Sequence, residues 1–353
     1  MTAANPFVPV RLVGGIFALA ILMLAVVRRR RGDISRLNLI ITVAVSLAIG
    51  ALAIRPRLFN PLFESFNFEP GNQRQLIAAL LFAVFVLFAL LVRAMASADA
   101  NARNLRLLIE SLAIQGFDRR GAESLPGGDR LVVVIPAHDE AENLRPVLDA
   151  VPSEVEGLAT VPLVVDDASE DRTGEVAHER GALVATLPVR RGQGMALRVG
   201  YQLALRLGAV VVASLDADGQ HAPAQLPRVV GPVLRREADM VVGSRVLGAY
   251  ERESHLRHAG IFLLSGVVST LYGRRITDVS SGFRALSAEA LRKLVLEQDQ
   301  YSSEIVVEAL RHRARVKEVP ITVSARAGGV SKKPATFRYG WRFTKAMLQT
   351  WLR

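Results

Sequence analysis

The chain has no cysteine in its 353 residues. That excludes a disulfide framework and any zinc site built on thiolates. It also has no internal repeat and no low-complexity tract. Acidic residues are missing from three almost wholly apolar segments, roughly 8–27, 37–54 and 76–92. Each approaches the roughly 20 residues that cross a bilayer as a helix. Three such segments in the first hundred residues argue against ordinary core helices. The first does not read as a cleaved signal peptide: its basic cluster, Arg28 to Arg31, follows the apolar run instead of preceding it.

What is present is positive charge. Forty-four basic residues stand against 33 acidic ones, a formal net charge of +11. Such a balance suits nucleic acid, an anionic membrane or phosphorylated substrates. No nucleic-acid recognition motif accompanies it, so no nucleic-acid partner is expected and the apolar segments favour the membrane. Basic residues flanking membrane helices mark the cytoplasmic side. Arg28–Arg31 then place the N-terminus outside, 55–75 outside, and 93–353 in the cytoplasm. Arg55, Arg57 and Arg74 in the outer loop run against this orientation without reversing it. A multi-pass protein of the inner or plasma membrane is the expectation.

Behind the third segment, 94–118 reads as a helix, with Leu105, Leu108 and Leu112 at the three-and-four spacing of one face. It extends the membrane helix or pairs with a neighbouring subunit, so a homo-oligomer is possible. Gly121 to Gly128 holds three glycines and a proline and reads as a linker. The divisions are therefore 1–95 for the membrane domain, 96–129 for a helical and Gly-rich linker, 130–335 for a catalytic domain, and 336–353 for a final helix. In that last stretch Phe337, Trp341, Thr344, Leu348 and Trp351 share one face amid arginines and lysine. This suits either a helix in the membrane interface or one packed on the sheet.

From 130 onward short apolar runs alternate with amphipathic ones. Strands are expected at 131–135, 161–165, 182–187, 209–215 and 239–243, with helices at 140–151, 171–180, 193–207 and 223–236. Strand–helix alternation implies an α/β fold with a mostly parallel sheet covered on both faces. Ligands on such sheets bind beyond the C-terminal strand ends. The notable polar residues sit there: His138-Asp139-Glu140, Asp166-Asp167, and Asp216-x-Asp218. Two carboxylates one residue apart at a strand end can hold a divalent cation, and hard oxygen ligands suit Mg²⁺ or Mn²⁺. The pair alone is a common chance occurrence. Acidic groups at three strand ends converging on one crevice are more informative.

Residues 131–143 (LVVVIPAHDEAEN), 164–169 (VVDDAS), 216–221 (DADGQH), 243–245 (GSR) and 280–284 (SSGFR) resemble glycosyltransferase family 2. More narrowly they are similar to the dolichol- and polyprenol-phosphate sugar (mannose-type) synthases, over roughly 130–335. The first hundred residues resemble, more loosely, a small hydrophobic module attached to some such enzymes. The resemblance implies a GT-A nucleotide-diphospho-sugar transferase fold preceded by three transmembrane helices. It implies a metal-dependent, inverting transfer from a GDP- or UDP-sugar to a polyprenyl phosphate at the membrane lipids.

The resemblance also implies roles. Pro136, Ala137, Val165, Ala217 and Glu140 match positions at the nucleotide, although Glu140 could instead cap the following helix. His138 and Asp139 stand where relatives often have an aromatic residue and an asparagine, which leaves the base preference open. Asp167 matches the carboxylate that recognises the base, and Asp166 is expected to fix the loop. Arg191 would supply a cation to the diphosphate, since Gln193 stands where the family often has lysine. Asp216, Asp218 and Gln220 match the metal site; His221 is as well explained by a structural role. Arg245 matches an arginine near the phosphates, so Asp216, Asp218 and Arg245 form the expected catalytic set. Arg257 is a candidate for the acceptor phosphate, and Ser281, Gly282 and Phe283 match the loop on the acceptor side. Glu304 matches a family acidic position or is a helix-surface charge. Arg326, Ser331 and Lys332 match a mobile basic loop able to close over the diphosphate.

A phosphate acceptor is already ionised near pH 7, so no essential base is expected. Transfer to a lipid hydroxyl or cell-wall glycan would need one. The Gln-x-x-Arg-Trp motif of processive synthases is absent. A non-catalytic membrane scaffold is the reading from another class, and the intact Asp216-x-Asp218-x-Gln220 argues against it.

Overall fold

A computed structural model describes residues 8–30, 34, 36–54, 73–117, 120–123, 125, 127–250, 255–296, 304–324 and 350–351. The chain divides into two compact units, with the boundary between Arg106 and Leu107.

The first unit is helical. Helices α1 (Val8–Arg30), α2 (Arg36–Ile54) and the first part of α3 (Gln73–Gln115) fall on the three apolar segments. Ala25, Ile34 and Ala96 form a small buried cluster with Leu39 against it. Arg29 donates to the Ile34 carbonyl at 3.0 Å, closing the turn after α1. Among the described residues one stretch, Val84–Gln115, is long and apolar enough to cross a membrane. It lies within the helix Gln73–Gln115, which contains the expected third span 76–92 and runs beyond it. The segment 55–75, expected as an outer loop, lies outside the described residues except for its last three.

The second unit is α/β. Its elements are α4 (Arg120–Glu123), β1 (Arg130–Ala137), α5 (Ala141–Asp149), β2 (Glu154–Val155), β3 (Leu158–Asp166), α6 (Thr173–Glu179), β4 (Leu183–Thr186), α7 (Gln193–Arg206), β5 (Ala209–Ser214), α8 (Leu226–Leu234), β6 (Met240–Tyr250), α9 (His255–Tyr272), β7 (Arg284–Ser287), α10 (Ala288–Lys293), α11 (Glu304–Arg311) and β8 (Val316–Val323). The strands expected at 131–135, 161–165, 182–187, 209–215 and 239–243 fall on β1, β3, β4, β5 and β6, and the helices expected between 140 and 236 on α5 to α8; β6 runs on to Tyr250. The strand order is β2-β3-β1-β5-β7-β6-β8, with β4 on β3. Pairings β1–β3, β1–β5, β3–β4 and β6–β8 are parallel, while β7 runs antiparallel to both β5 and β6. The reversed β7 has a consequence for the site. Its first residues lie at the same sheet edge as the last residues of β1, β3 and β5.

Central strands carry apolar side chains on both faces because helices cover both. Val132, Val134, Leu163 and Val165 face one core cluster; Leu131, Val133, Ile135 and Val164 face the other. The end of α3 belongs here too. Ile109, Ala113, Ile114 and Phe117 pack into the first cluster, whereas Leu105, Leu108 and Leu112 are exposed. The leucine stripe is therefore not the face that α3 packs on the sheet domain. Nor is 96–129 simply a connector: its middle is core, and the Gly-rich stretch contains the turn α4. Glu110 secures that docking. Its carboxylate meets Arg198 of α7 at 2.7 Å and accepts from Gln202.

Candidate active site

The C-terminal ends of β1, β3 and β5 and the start of β7 bring the expected carboxylates to one edge. Asp166 ends β3 and is buried; its Oδ1 accepts from the Ser169 amide at 2.9 Å and from the Ser169 hydroxyl. It fixes the loop, as expected. Asp139 adopts a left-handed φ of 48°, a conformation that short polar side chains tolerate better than most. Its Oδ1 accepts from the Glu170 amide at 2.8 Å. His138 lies 3.2 Å from the other Asp139 oxygen.

Asp167 is buried, and both of its oxygens are engaged. Oδ1 accepts from the Arg191 amide and Oδ2 from the Gly192 amide, each at 2.7 Å. Burial pushes its carboxyl above the usual range, and the two amides, His138 and Arg190 pull it back down. Gly192 has φ 103°, open to glycine and strained for other residues, and sits just before α7. So Asp167 clamps the entry to α7, and each oxygen keeps a second lone pair for a ligand. Arg191 contributes its amide to this clamp.

At the first position of α7, Gln193 donates from Nε2 to Asp216 Oδ1 at 2.6 Å. A continuous path therefore joins Asp167 to Asp216. The Asp218 Oδ1 accepts from the Gln220 amide at 3.2 Å, an Asx-type turn over Gly219. The Gln220 carbonyl accepts from the Ser324 amide at 3.0 Å, which ties this loop to the end of β8. His221 is buried and stacks on Phe283, with ring centroids 5.4 Å apart.

Glu140 precedes α5 but makes no side-chain cap; its Oε2 accepts from Asn143 Nδ2 at 2.7 Å. Glu304 is 1% exposed, so the helix-surface alternative is wrong. Val165, Ala137 and Ala217 belong to the apolar clusters, and their side chains offer a ligand almost no surface. Pro136 is half-buried. Ser281 is fully buried, its hydroxyl accepting from the Phe283 amide at 3.3 Å. There it props its own loop. Arg257 lies in α9, with its side chain outside the described residues. Arg326, Ser331, Lys332 and the helix at 337–352, apart from Thr350 and Trp351, also lie outside them.

Arg245 carries a partner the sequence reading did not name. Its Nε donates to Asp278 Oδ2 at 2.6 Å, and Asp278 is fully buried. Below that turn Glu318 accepts from the Asp278 amide at 2.9 Å and from the Thr277 amide at 2.8 Å. Burial raises the Glu318 carboxyl above its ordinary value, against those amides. Arg284 is fully buried as well. Burial pulls its guanidinium below the usual arginine range, while Tyr201, Asp216 and Asp278 push it back up. The sequence did contain a signal for both: an aspartate and an arginine bracket the apolar, serine-rich run Val279–Phe283.

The half-buried carboxylates of Asp216 and Asp218 and the Gln220 amide make a hard-oxygen donor set. Among the described residues no cluster of three or more His, Cys, Asp or Glu could hold a metal by itself. A Mg²⁺-type site needs only one or two carboxylates when substrate phosphates and water complete it. Asp216 and Asp218 fit that requirement.

A mixed sheet covered by helices on both faces, with carboxylates gathered at its parallel strand ends, is a GT-A-like α/β fold. The crystal structure of glucosyl-3-phosphoglycerate synthase from Mycobacterium tuberculosis, in complex with Mg²⁺ and UDP, superposes with a TM-score of 0.52 at 21% identity over 69% of this chain and 83% of that one. The family described as glycosyl transferase family 2 matches residues 132–295. The undecaprenyl-phosphate mannosyltransferase of Micrococcus luteus is 34% identical over 220 residues, 58% of this chain and 87% of the relative. The polyprenol monophosphomannose synthase of Mycolicibacterium smegmatis is 32% identical over 238 residues, 63% and 89% respectively. The chain belongs to glycosyl transferase family 2 and is a glycosyltransferase.

Proposed function

We propose that this chain is a membrane-anchored, inverting glycosyltransferase that moves a sugar from a nucleoside diphosphate to a polyprenyl phosphate on the cytoplasmic face. The observation that carries this reading is the linked set Asp167–Gly192–Gln193–Asp216 at one sheet edge, with Asp218 and Arg245 beside it. Two relatives named for polyprenyl-phosphate mannosyl transfer support the acceptor class.

Asp167 and the backbone around Ala137 would receive the nucleobase. The start of α7 would face the diphosphate, where helix N-termini favour anions. Asp216 and Asp218, with Gln220, would hold Mg²⁺ or Mn²⁺. Bound there, the cation would supply positive charge to the departing diphosphate. Arg245, held in place by Asp278, would orient a phosphate; Arg257 and the basic loop with Arg326, Ser331 and Lys332 would act on the acceptor side. The acceptor phosphate is ionised near neutrality, so this chain need not provide a base.

Membrane anchoring through three crossings draws support from the first unit. Leu19, Met23, Leu47, Leu87 and Leu90 are each more than half exposed. Such a density of open apolar surface needs a non-aqueous cover. Arg28–Arg30 at the end of α1 would lie on the cytoplasmic side.

The test uses purified full-length protein, Mg²⁺ or Mn²⁺, radiolabelled UDP- and GDP-sugars, and a short polyprenyl phosphate. Label should enter the lipid phase from one donor. Asp218→Ala should lower the rate by about 100-fold or more, the scale of losing preorganised charge stabilisation. Donor binding without lipid labelling would move the search to another acceptor.

A further inference from the structure

The fully buried Arg284 lies outside the roles just described. It starts β7, and the β5–β7 register sets it opposite Ser214, two residues before Asp216. Around it three successive carbonyls are tied down. Arg284 Nη2 donates to the Ser281 carbonyl. Ser214 Oγ donates to the Gly282 carbonyl at 3.0 Å and accepts from Tyr201 at 3.3 Å. The Gly243 amide donates to the Phe283 carbonyl at 2.9 Å. The backbone at 281–283 therefore has little freedom.

The Asp216 carboxylate rests on that fixed backbone. A Cβ added at Gly282 would lie 2.5 Å from Asp216 Oδ1 and 2.9 Å from Oδ2. Nothing but glycine lets the carboxylate sit where it does. Gln193 restrains the same oxygen, Oδ1, from α7.

We infer that Arg284, through the Ser281–Gly282 backbone, is a positioning residue that seats the Asp216 carboxylate for metal binding. Arg284 is fully buried and acts through the backbone it holds. It fixes the surface against which the ligand carboxylate is packed, as outer-shell partners orient metal ligands elsewhere. A buried, fork-shaped guanidinium suits this task. It can hold a carbonyl while leaving charge near Asp216 and Asp278, which a flexible ammonium does less well. The inference rests on the proposal that Asp216 is a metal ligand.

The experiment measures Mn²⁺ affinity by electron paramagnetic resonance, on the detergent-solubilised full chain, with UDP or with GDP present. The variants are Gly282→Ala and Arg284→Lys, alongside wild type. Val233→Ala, a core truncation in α8, serves as a destabilised control. Both site variants should bind Mn²⁺ about 10- to 100-fold more weakly, the usual scale for outer-shell changes. The control should lower the melting temperature and leave Mn²⁺ affinity unchanged. Steady-state rates should follow, with the loss in Arg284→Lys partly recovered by raising Mn²⁺. Wild-type affinity in both folded variants would overturn the inference while leaving the metal site standing. If wild type binds no Mn²⁺ with either nucleotide, the metal reading falls and this inference falls with it. If Arg284→Lys does not fold, Gly282→Ala decides; if neither folds, the seat serves the fold alone and the inference is overturned.

Discussion

The two sides of β5 hold their charges in different ways. On the β1–β3 side, carboxylates are satisfied by backbone amides and small hydroxyls: Asp166 by Ser169, Asp167 by Arg191 and Gly192. On the β7–β6–β8 side, two charges are buried near other charges, Arg245 on Asp278 and Arg284 near Asp216, while Glu318 on the outermost strand is held by the Thr277 and Asp278 amides. Amide-held carboxylates shape a loop and keep lone pairs for a ligand. Buried ion pairs fix a side chain rigidly and are intolerant of losing either member.

That contrast ranks the outcomes of substitution. Asp278→Ala should be the most damaging to stability, because it strands a largely buried Arg245; breaking such a pair costs about 3–5 kcal/mol. Chemical denaturation of the full chain would check it, and a cost near zero would erase the distinction between the two sides. Asp167→Asn should be milder. It turns an amide donor toward a backbone N–H and orphans one hydrogen bond, a cost of about 1–3 kcal/mol. Donor affinity should fall with it, because the entry to α7 loosens, and isothermal titration with UDP and GDP would read this.

Glu318 sharpens the comparison through pH. Its folded-state pKa lies above the ordinary value of 4.5, so the folded chain holds that proton to higher pH than the unfolded chain does. Its contribution to stability therefore falls as pH rises above 4.5 and levels off once the raised pKa is passed. Glu318→Gln should remove that slope from melting temperatures measured across the acid range. The smallest effect belongs to the surface. Arg172, paired with Glu175 at 2.6 Å in full exposure, should tolerate replacement by Ala with no change in melting beyond measurement scatter.

The first side of the sheet was readable before any coordinates. Its strands are apolar runs of the right length, and its acids follow them directly, so alternation alone placed Asp167 and Asp216 at one edge. On the second side only β6 was, as the run 239–243. β7 and β8 are short or carry charge, and their assignment needs partners distant in sequence: Glu318 meets Thr277 and Asp278 some forty positions away. Leu105, Leu108 and Leu112 show a related point: they lie on the helix the spacing implied and stay exposed. A helical stripe shows which residues share a face but not which face finds a neighbour, and the sheet took Ile109 and Ala113.

By itself the sequence determined the family and the main strand–helix order from β1 to β6, because these follow from local periodicity and from short motifs. Only the tertiary structure decided which groups hold the site in shape. It gave Asp167 the amides of Arg191 and Gly192, gave Arg245 its partner Asp278, turned Ser281 inward, and set Gly282 against Asp216. Those contacts depend on burial and on the antiparallel entry of β7. Burial is a property of the packed chain, and no spacing along it encodes which charge will meet which.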